Sequence, residues 1–243
     1  MELTQEEIKN FNLNGFLILK SFAENITCDN ILKTAKKHLE NRIEPIESET
    51  QFLQSNQSTQ TVRRLRQVYD REEVFKKWMH NAKIRPILQQ LLKDEPILIL
   101  SHHNSIMTKM PNDSSRTPWH QDFRYWNYEK ENLVSIWLSL DDETIENGLL
   151  EFIPGSHTIA FDKEQFDEKC NFIDNNAKNE KLIKTSIHTN LQKGDVVLFH
   201  CKTLHHANKN STNKPKISFV YTARAFNNAP IKNTRSDFKE VIL

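Results

Sequence analysis

Residues 117–122 read TPWHQD, and residues 146–157 read ENGLLEFIPGSH. Both stretches lie in the part of the chain from residue 96 onward, where short apolar or alternating runs are separated by turn residues. This spacing predicts a mainly β fold, an antiparallel sandwich or barrel. The absence of strand–helix alternation argues against a doubly wound parallel sheet. The runs lie at Ile97–Leu100, Val134–Leu140, Leu149–Ile153, Val196–Phe199 and Ile217–Ala223.

The first 95 residues have a more helical pattern. A Thr-x-x-Glu capping box predicts a helix over about residues 4–12, and a second helix is expected over 31–39. The apolar run Phe16–Leu19 between them predicts a buried strand. Pro86 precedes an apolar stripe at helical spacing, and a helix there must begin close to it, because proline is tolerated only in the first turn.

We expect one domain over residues 1–243, a length sufficient for a substantial core. In this organisation a mostly helical part, 1–95, precedes a β core at 96–226. Residues 160–190 are charged and irregular and predict an insertion between strands, with a role as a lid as a hypothesis. Residues 41–62 are polar and lack periodicity, which predicts a loop or a lid.

Composition excludes several classes of protein. The chain has 33 basic and 32 acidic residues, without a long block of one sign, so no nucleic-acid or membrane partner is indicated. The N-terminus lacks the pattern of a signal peptide, and no apolar run approaches the roughly 18 residues of a membrane span, so we expect a cytoplasmic protein. Three cysteines predict no disulfide framework or cysteine-rich zinc site. Four glycines provide no phosphate loop.

The His-x-Asp within TPWHQD is a candidate metal site. His120 and Asp122 are two residues apart, so on an extended segment both side chains point to one face. A third ligand must then come from another strand, and His205 lies at a suitable distance along the chain, with His206 and His200 as competitors. Imidazole and carboxylate donors without thiolate suit iron(II) rather than structural zinc.

The order of these motifs closely resembles the phytanoyl-CoA dioxygenase family of iron(II)/2-oxoglutarate oxygenases. The resemblance rests on the sequences WHQD, NGLL and PGSH and on the Gly-Asp turn that leads to LHHA, and it runs from about residue 4 to about 226. It implies a double-stranded β-helix, a cupin-like jelly-roll barrel, with added helices. It also implies the ligands His120, Asp122 and His205, because Asn210 and Lys216 follow His205 at the family's spacing.

The resemblance further implies a 2-oxoglutarate site. The family places an arginine for the distal carboxylate where this chain has Lys216, and a lysine supplies the charge without the planar fork. Arg224 is the alternative cation. Ser135 and Trp126 are at positions where relatives contact the cosubstrate, and Thr108, before the His-x-Asp strand, is a further candidate.

The implied activity is that of an Fe(2+) dioxygenase that uses O2 and 2-oxoglutarate and releases succinate and CO2. Because Asp122 is present, hydroxylation of an unactivated C–H in a small-molecule substrate is expected rather than halogenation. Two alternatives stay open. One is a catalytically silent ligand-binding member of the fold. The other is a metal-dependent oxygenase that does not use 2-oxoglutarate, and the presence of Lys216 in place of the family's arginine keeps this alternative open.

Overall fold

The computed structural model of the protein describes residues 1–52 and 60–243. The first helix has the predicted capping box, with Thr4 and Glu7 bonded reciprocally, and the fourth contains Pro86 in its first turn. Among the described residues, no helix is both long and apolar enough to cross a bilayer. The helices are α1 (Gln5–Asn14), α2 (Asn25–Glu40), α3 (Glu73–Met79), α4 (Ile84–Leu92) and α5 (Ala177–Ile183).

Two antiparallel sheets form the β structure. The strands are β1 (Phe16–Leu19), β2 (Ile46–Ser48), β3 (Val62–Arg66), β4 (Pro96–Lys109), β5 (Thr117–His120), β6 (Leu133–Ser139), β7 (Leu150–Phe152), β8 (Ile187–His188), β9 (Val196–His200), β10 (His205–Ala207), β11 (Lys216–Ala225) and β12 (Glu240–Ile242). The large sheet has the order β1-β9-β6-β11-β4-β3-β2, with β12 also beside β4, and the small sheet has the order β5-β10-β7-β8. The mainly β fold is confirmed, as two facing sheets rather than a closed barrel.

The large sheet extends beyond the 96–226 core expected from the sequence. Strands β1, β2 and β3 come from the N-terminal part, and β12 follows residue 226. The prediction of a loop over 41–62 was wrong at Ile46–Ser48, which pairs with β3. This edge strand is held by ion pairs such as Arg64–Glu47 instead of by apolar alternation, so its sequence carries no strand pattern. Part of the predicted lid, residues 53–59, lies outside the described residues.

The two faces of the large sheet have different partners. The outer face packs against α1–α4 in the main apolar core, which includes Ile106, Phe219 and Leu198. The inner face packs against the small sheet through a second cluster that includes Trp137 and Phe152. Because side chains alternate along a strand, every second residue of β4, β6 and β11 faces the space between the sheets.

The insertion at 160–190 contains α5 and β8, and β8 extends the small sheet beside β7. Its aromatic residues Phe166 and Phe172 pack with Trp119, the residue before the His-x-Asp motif. Phe172 N–H also donates to the Trp119 carbonyl at 2.7 Å. The insertion therefore braces the strand that carries the candidate metal site. Its role as a lid stays a prediction.

Candidate metal centre

The two histidines of the predicted triad are neighbours across two strands. His120 ends β5 and His205 begins β10, and their Cα atoms are paired in the antiparallel ladder. Their ring centroids lie 4.2 Å apart. Two residues that are 85 positions apart in the sequence are thus direct neighbours in the small sheet.

Asp122 completes the group from the short 3-10 turn that follows β5. Its Oδ1 lies 3.6 Å from His120 Nε2 and 3.9 Å from His205 Nε2. One donor atom from each of the three residues lies within 4.8 Å of the others, which fits a single metal ion. The Oδ2 atom of Asp122 is buried without a hydrogen-bond partner, and such an atom is costly unless something outside the protein's own groups satisfies it.

Backbone carbonyls orient both imidazoles. His120 Nδ1 lies 2.8 Å from the Pro118 carbonyl oxygen, and His205 Nδ1 lies 2.9 Å from that of Thr203. Each Nδ1 must donate its proton, because a carbonyl oxygen only accepts. The Nε2 atoms then face Asp122 and are the ring atoms available to a cation, the usual arrangement of metal-binding histidines.

The charge states of His205 and Asp122 favour a cation. Burial, and then the charge of His120, lowers the pKa of His205 to about 3, so this imidazole is neutral at physiological pH. Burial raises the pKa of Asp122, but His103, His205 and His120 together hold it well below its usual range. Neutral imidazoles and an ionised carboxylate are the forms that bind metal.

The competing histidines point elsewhere. His206 Nε2 pairs with Glu151 Oε1 at 3.0 Å, and its ring packs on Trp119. The His200 ring lies 5.3 Å from that of His157. Since side chains alternate along β10, His206 faces away from the site that His205 faces.

A cavity lies between the sheets beside the triad. Lys216 on β11 lines it, as the spacing from His205 predicted. The Lys216 ammonium is already paired, with Nζ 3.0 Å from Glu143 Oε2. The other oxygen of Glu143 accepts from Ser218 Oγ at 2.6 Å and from Trp137 Nε1 at 2.9 Å. The Lys216–Glu143 pair therefore adds almost no net charge to the cavity.

A second lysine, which the sequence reasoning missed, lines the same cavity. Lys109 on β4 is paired in register with Lys216 on β11, and it is only 7% exposed. Its Nζ donates to the carbonyls of Ser115 at 2.8 Å and Ala207 at 3.4 Å. No ion pair joins it to a carboxylate within residues 1–52 and 60–243. Burial, then the charge of Lys216, lowers the pKa of Lys109 to about 6.

The glycine of the ENGLL motif makes room for this lysine. Gly148 has φ +79°, and a Cβ built on it would lie 2.7 Å from Lys109 Cδ and 2.4 Å from the Asn208 carbonyl oxygen. Any side chain at this position would push on the lysine stem and on backbone. The motif thus contributes to the cavity through close packing.

The other residues predicted to contact the cosubstrate lie at different distances from the cavity. Arg224 forms a two-point ion pair with Glu240, 2.7 Å from Nε and 2.6 Å from Nη2, at the far end of β11. Thr108 lines the cavity, but its hydroxyl donates to backbone carbonyls of β3, including Arg63 at 3.1 Å. Ser135 and Trp126 both contact His103, at 3.3 Å from Ser135 Oγ and 5.2 Å between ring centroids.

His103 is the other group that the sequence reasoning missed. Its Nε2 lies 3.5 Å from Asp122 Oδ1, and it lines the cavity. His103, Ser105, Met107 and Lys109 occupy alternate positions of β4, so a period-two reading of 103–109 could have placed both missed residues on one face.

The fold and the triad together define a class of protein. Two facing antiparallel sheets that present two histidines and an aspartate beside a cavity are typical of mononuclear non-haem iron(II) oxygenases. The donor set and the unsatisfied Asp122 Oδ2 fit such an ion.

Comparison with known proteins places the chain in a family. The family model "Phytanoyl-CoA dioxygenase (PhyH)" matches residues 11–218, so the chain belongs to this family. Human peroxisomal phytanoyl-CoA dioxygenase is 23% identical over 220 residues, with 86% of this chain and 65% of the human protein covered. L-proline trans-4-hydroxylase of Streptomyces griseoviridis is 26% identical, with 83% of this chain and 82% of the hydroxylase covered. The chain therefore spans about two thirds of the human relative.

Solved structures share the fold. EctD from S. alaskensis with 2-oxoglutarate and 5-hydroxyectoine has a TM-score of 0.78 at 20% identity, covering 94% of this chain and 78% of EctD. The epimerase SnoN, in complex with Fe3+, alpha ketoglutarate and nogalamycin RO, has a TM-score of 0.75 at 15% identity, covering 98% and 94%. Iron and 2-oxoglutarate are thus bound by neighbours in fold, and the expected family is confirmed.

Proposed function

We propose that this protein is an iron(II)- and 2-oxoglutarate-dependent dioxygenase that hydroxylates an unactivated C–H bond of a small molecule. The observation that carries the proposal is the convergence of His120, Asp122 and His205 on a cavity that Lys216 and Lys109 also line. When bound, iron and 2-oxoglutarate supply oxygen activation coupled to release of succinate and CO2.

The chain's own residues divide the remaining tasks. His120, Asp122 and His205 hold the metal, and the carbonyls of Pro118 and Thr203 fix the two rings. Three ligands on one side leave positions for cosubstrate and O2.

Lys216 and Lys109 provide ammonium groups for the distal carboxylate of 2-oxoglutarate. Both lie on adjacent strands in one register position, so a single carboxylate can receive hydrogen bonds from both. Of the two, Lys109 has the greater capacity to gain an ion pair, because Glu143 already neutralises Lys216.

The test is iron-dependent succinate formation. Purified protein, supplied with iron(II), ascorbate, O2 and 2-oxoglutarate, is expected to form succinate slowly even without primary substrate. His120→Ala and Asp122→Ala should abolish this, while His206→Ala, which alters the neighbouring histidine outside the triad, should retain it. Absence of iron-dependent succinate formation, with or without candidate substrates, contradicts the proposal and favours a silent ligand-binding protein.

One observation favours the alternative of an oxygenase that does not use 2-oxoglutarate. The Lys216–Glu143 pair occupies the place where the family has an arginine, and its net charge is close to zero. Anaerobic titration of the iron(II) protein with 2-oxoglutarate separates the two. A visible absorption band that saturates with 2-oxoglutarate supports the proposal, and its absence in an iron-loaded protein supports the alternative.

A further inference from the structure

Three arginines lie near His103, the histidine beside Asp122. We call Arg64, Arg66 and Arg235 the arginine rim. Arg64 and Arg66 alternate along β3 and pair in register with Met107 and Ser105 of β4. They therefore share the inner face of the large sheet with Met107, which lines the metal cavity.

The rim adjoins the triad through two histidines. His103 lies one alternate position beyond Ser105 on β4, and so is a diagonal neighbour of Arg66. Its Nε2 is 3.5 Å from Asp122 Oδ1. The adjacent His102 stacks on Trp126 with ring centroids 5.1 Å apart.

The C-terminal segment brings the third arginine to this place. His102 Nε2 lies 2.7 Å from Ser236 Oγ, and the same hydroxyl accepts from Asn127 N–H at 2.8 Å. These contacts anchor the residue after Arg235 against β4. Arg66, Arg235 and His102 then line a separate cavity of about 170 Å³, together with Ser101, Gln67, Leu100 and Phe238.

The charge of the rim is only partly neutralised. Arg64 pairs with Glu47 at 2.6 Å. Arg66 and Arg235 have no ion pair and no side-chain hydrogen bond within the described parts of the chain, and the sequence of residues 53–59 contains no acidic residue. Burial, followed by the like charges of Arg66 and Arg64, lowers the pKa of Arg235. Glu47 acts on Arg235 in the opposite direction but forms no ion pair with it. Two guanidinium groups that line one cavity and form no ion pair are a typical recognition element for an anion.

We infer that Arg66 and Arg235 bind an anionic group, a carboxylate or a phosphoryl group, of the primary substrate. The inference rests on the proposed function for the claim that the bound molecule is a substrate. It assigns a substrate class: a small molecule whose acid group lies at the arginine rim while the remainder extends past His103 toward the triad. A neutral molecule would leave both guanidinium groups without an ionic partner.

The experiment measures binding without turnover. Protein saturated with iron(II) and 2-oxoglutarate under anaerobic conditions is titrated by calorimetry with phenylacetate, with its neutral isostere phenylacetamide, and with benzyl phosphate. At least one anion should bind saturably, and phenylacetamide should bind about tenfold or more weakly. Tighter phenylacetate assigns a carboxylate, and tighter benzyl phosphate assigns a phosphoryl group.

Variants locate the binding. The double variant Arg66→Gln/Arg235→Gln should weaken the anion about tenfold or more, with 2-oxoglutarate affinity changed less than about twofold. Arg85→Gln, which removes an exposed arginine paired with Glu95, is the matched control and should bind as the wild type does. Arg235→Gln alone changes only an exposed residue, and it keeps the test valid if the double variant folds poorly.

Several outcomes overturn the inference. These are equal binding of acid and amide, no saturable binding of either anion, or unchanged anion binding in the arginine variants. Loss of anion binding in Lys109→Met but not in the arginine variants would place the acid in the cosubstrate site. Succinate formation, measured on the same preparations, tests the proposed function separately, because its failure leaves anion binding at the rim intact.

Discussion

Replacing Lys109 with Met should stabilise the fold and weaken 2-oxoglutarate binding at the same time. The substitution keeps the length of the side chain and removes its amine. In the folded protein this amine is buried and bonded to two backbone carbonyls. Opposite effects on folding and on binding would be difficult to explain by general damage to the site.

The effect on folding follows from the pKa of Lys109, which burial lowers from 10.5 to about 6. Between these two values the unfolded chain binds more protons than the folded one, so stability rises with pH. From pH 6 to about pH 8 the free energy of unfolding should therefore rise by about 2 kcal/mol, as the cost of burying this lysine decreases. Lys109→Met should remove that slope and be the more stable protein at pH 6.

The effect on binding follows from the same pKa. A carboxylate beside Lys109 favours the ammonium, so binding should take up close to one proton at about pH 8. Loss of one partner of a buried ion pair costs about 3–5 kcal/mol. Protonating Lys109 at pH 7 first costs about 1.4 kcal/mol. The net loss in Lys109→Met is then about 1.6–3.6 kcal/mol, roughly 15- to 450-fold in Kd.

Calorimetry of the anaerobic iron(II) protein with 2-oxoglutarate measures both quantities. Titrations in two buffers of different ionisation enthalpy give the proton uptake. Arg224→Met is the matched control, because it breaks the buried Arg224–Glu240 pair far from the cavity and should lower stability without changing Kd. The reasoning is refuted if no proton is taken up at about pH 8 and the Kd of Lys109→Met stays within about twofold of wild type.

Three further predictions concern the site. His205→Ala should lose iron, measured by metal analysis after anaerobic loading, whereas His206→Ala should bind it stoichiometrically; equal loss in both would reject His205 as the ligand. Lys216→Met should lower stability by about 3–5 kcal/mol, because it leaves Glu143 buried and unpaired, and Lys216→Met/Glu143→Gln should recover part of this in urea unfolding. Gly148→Ala should lower stability by about 1–3 kcal/mol through its positive φ alone, and an unchanged melting temperature would contradict the close packing described for it.

Much of the local structure could be predicted from short-range patterns. The capping box, the first-turn proline of α4 and the five apolar runs became the expected elements. These signals are local, because capping and alternation depend on residues a few positions apart. Residues 46–48 gave no such signal, because their strand is held by ion pairs with β3.

The sequence by itself determined the family, the strand-forming runs and the candidate donors of the metal, since motif order and residue type are properties of the chain. Only the tertiary structure decided that His205 meets His120 while His206 faces Glu151, because alternation assigns neighbouring residues to opposite faces. It also decided that Glu143 neutralises Lys216 and that Lys109 lies buried beside it. Lys216 is 73 positions from Glu143 and 107 positions from Lys109 in the sequence, and only the sheet register brings these side chains together.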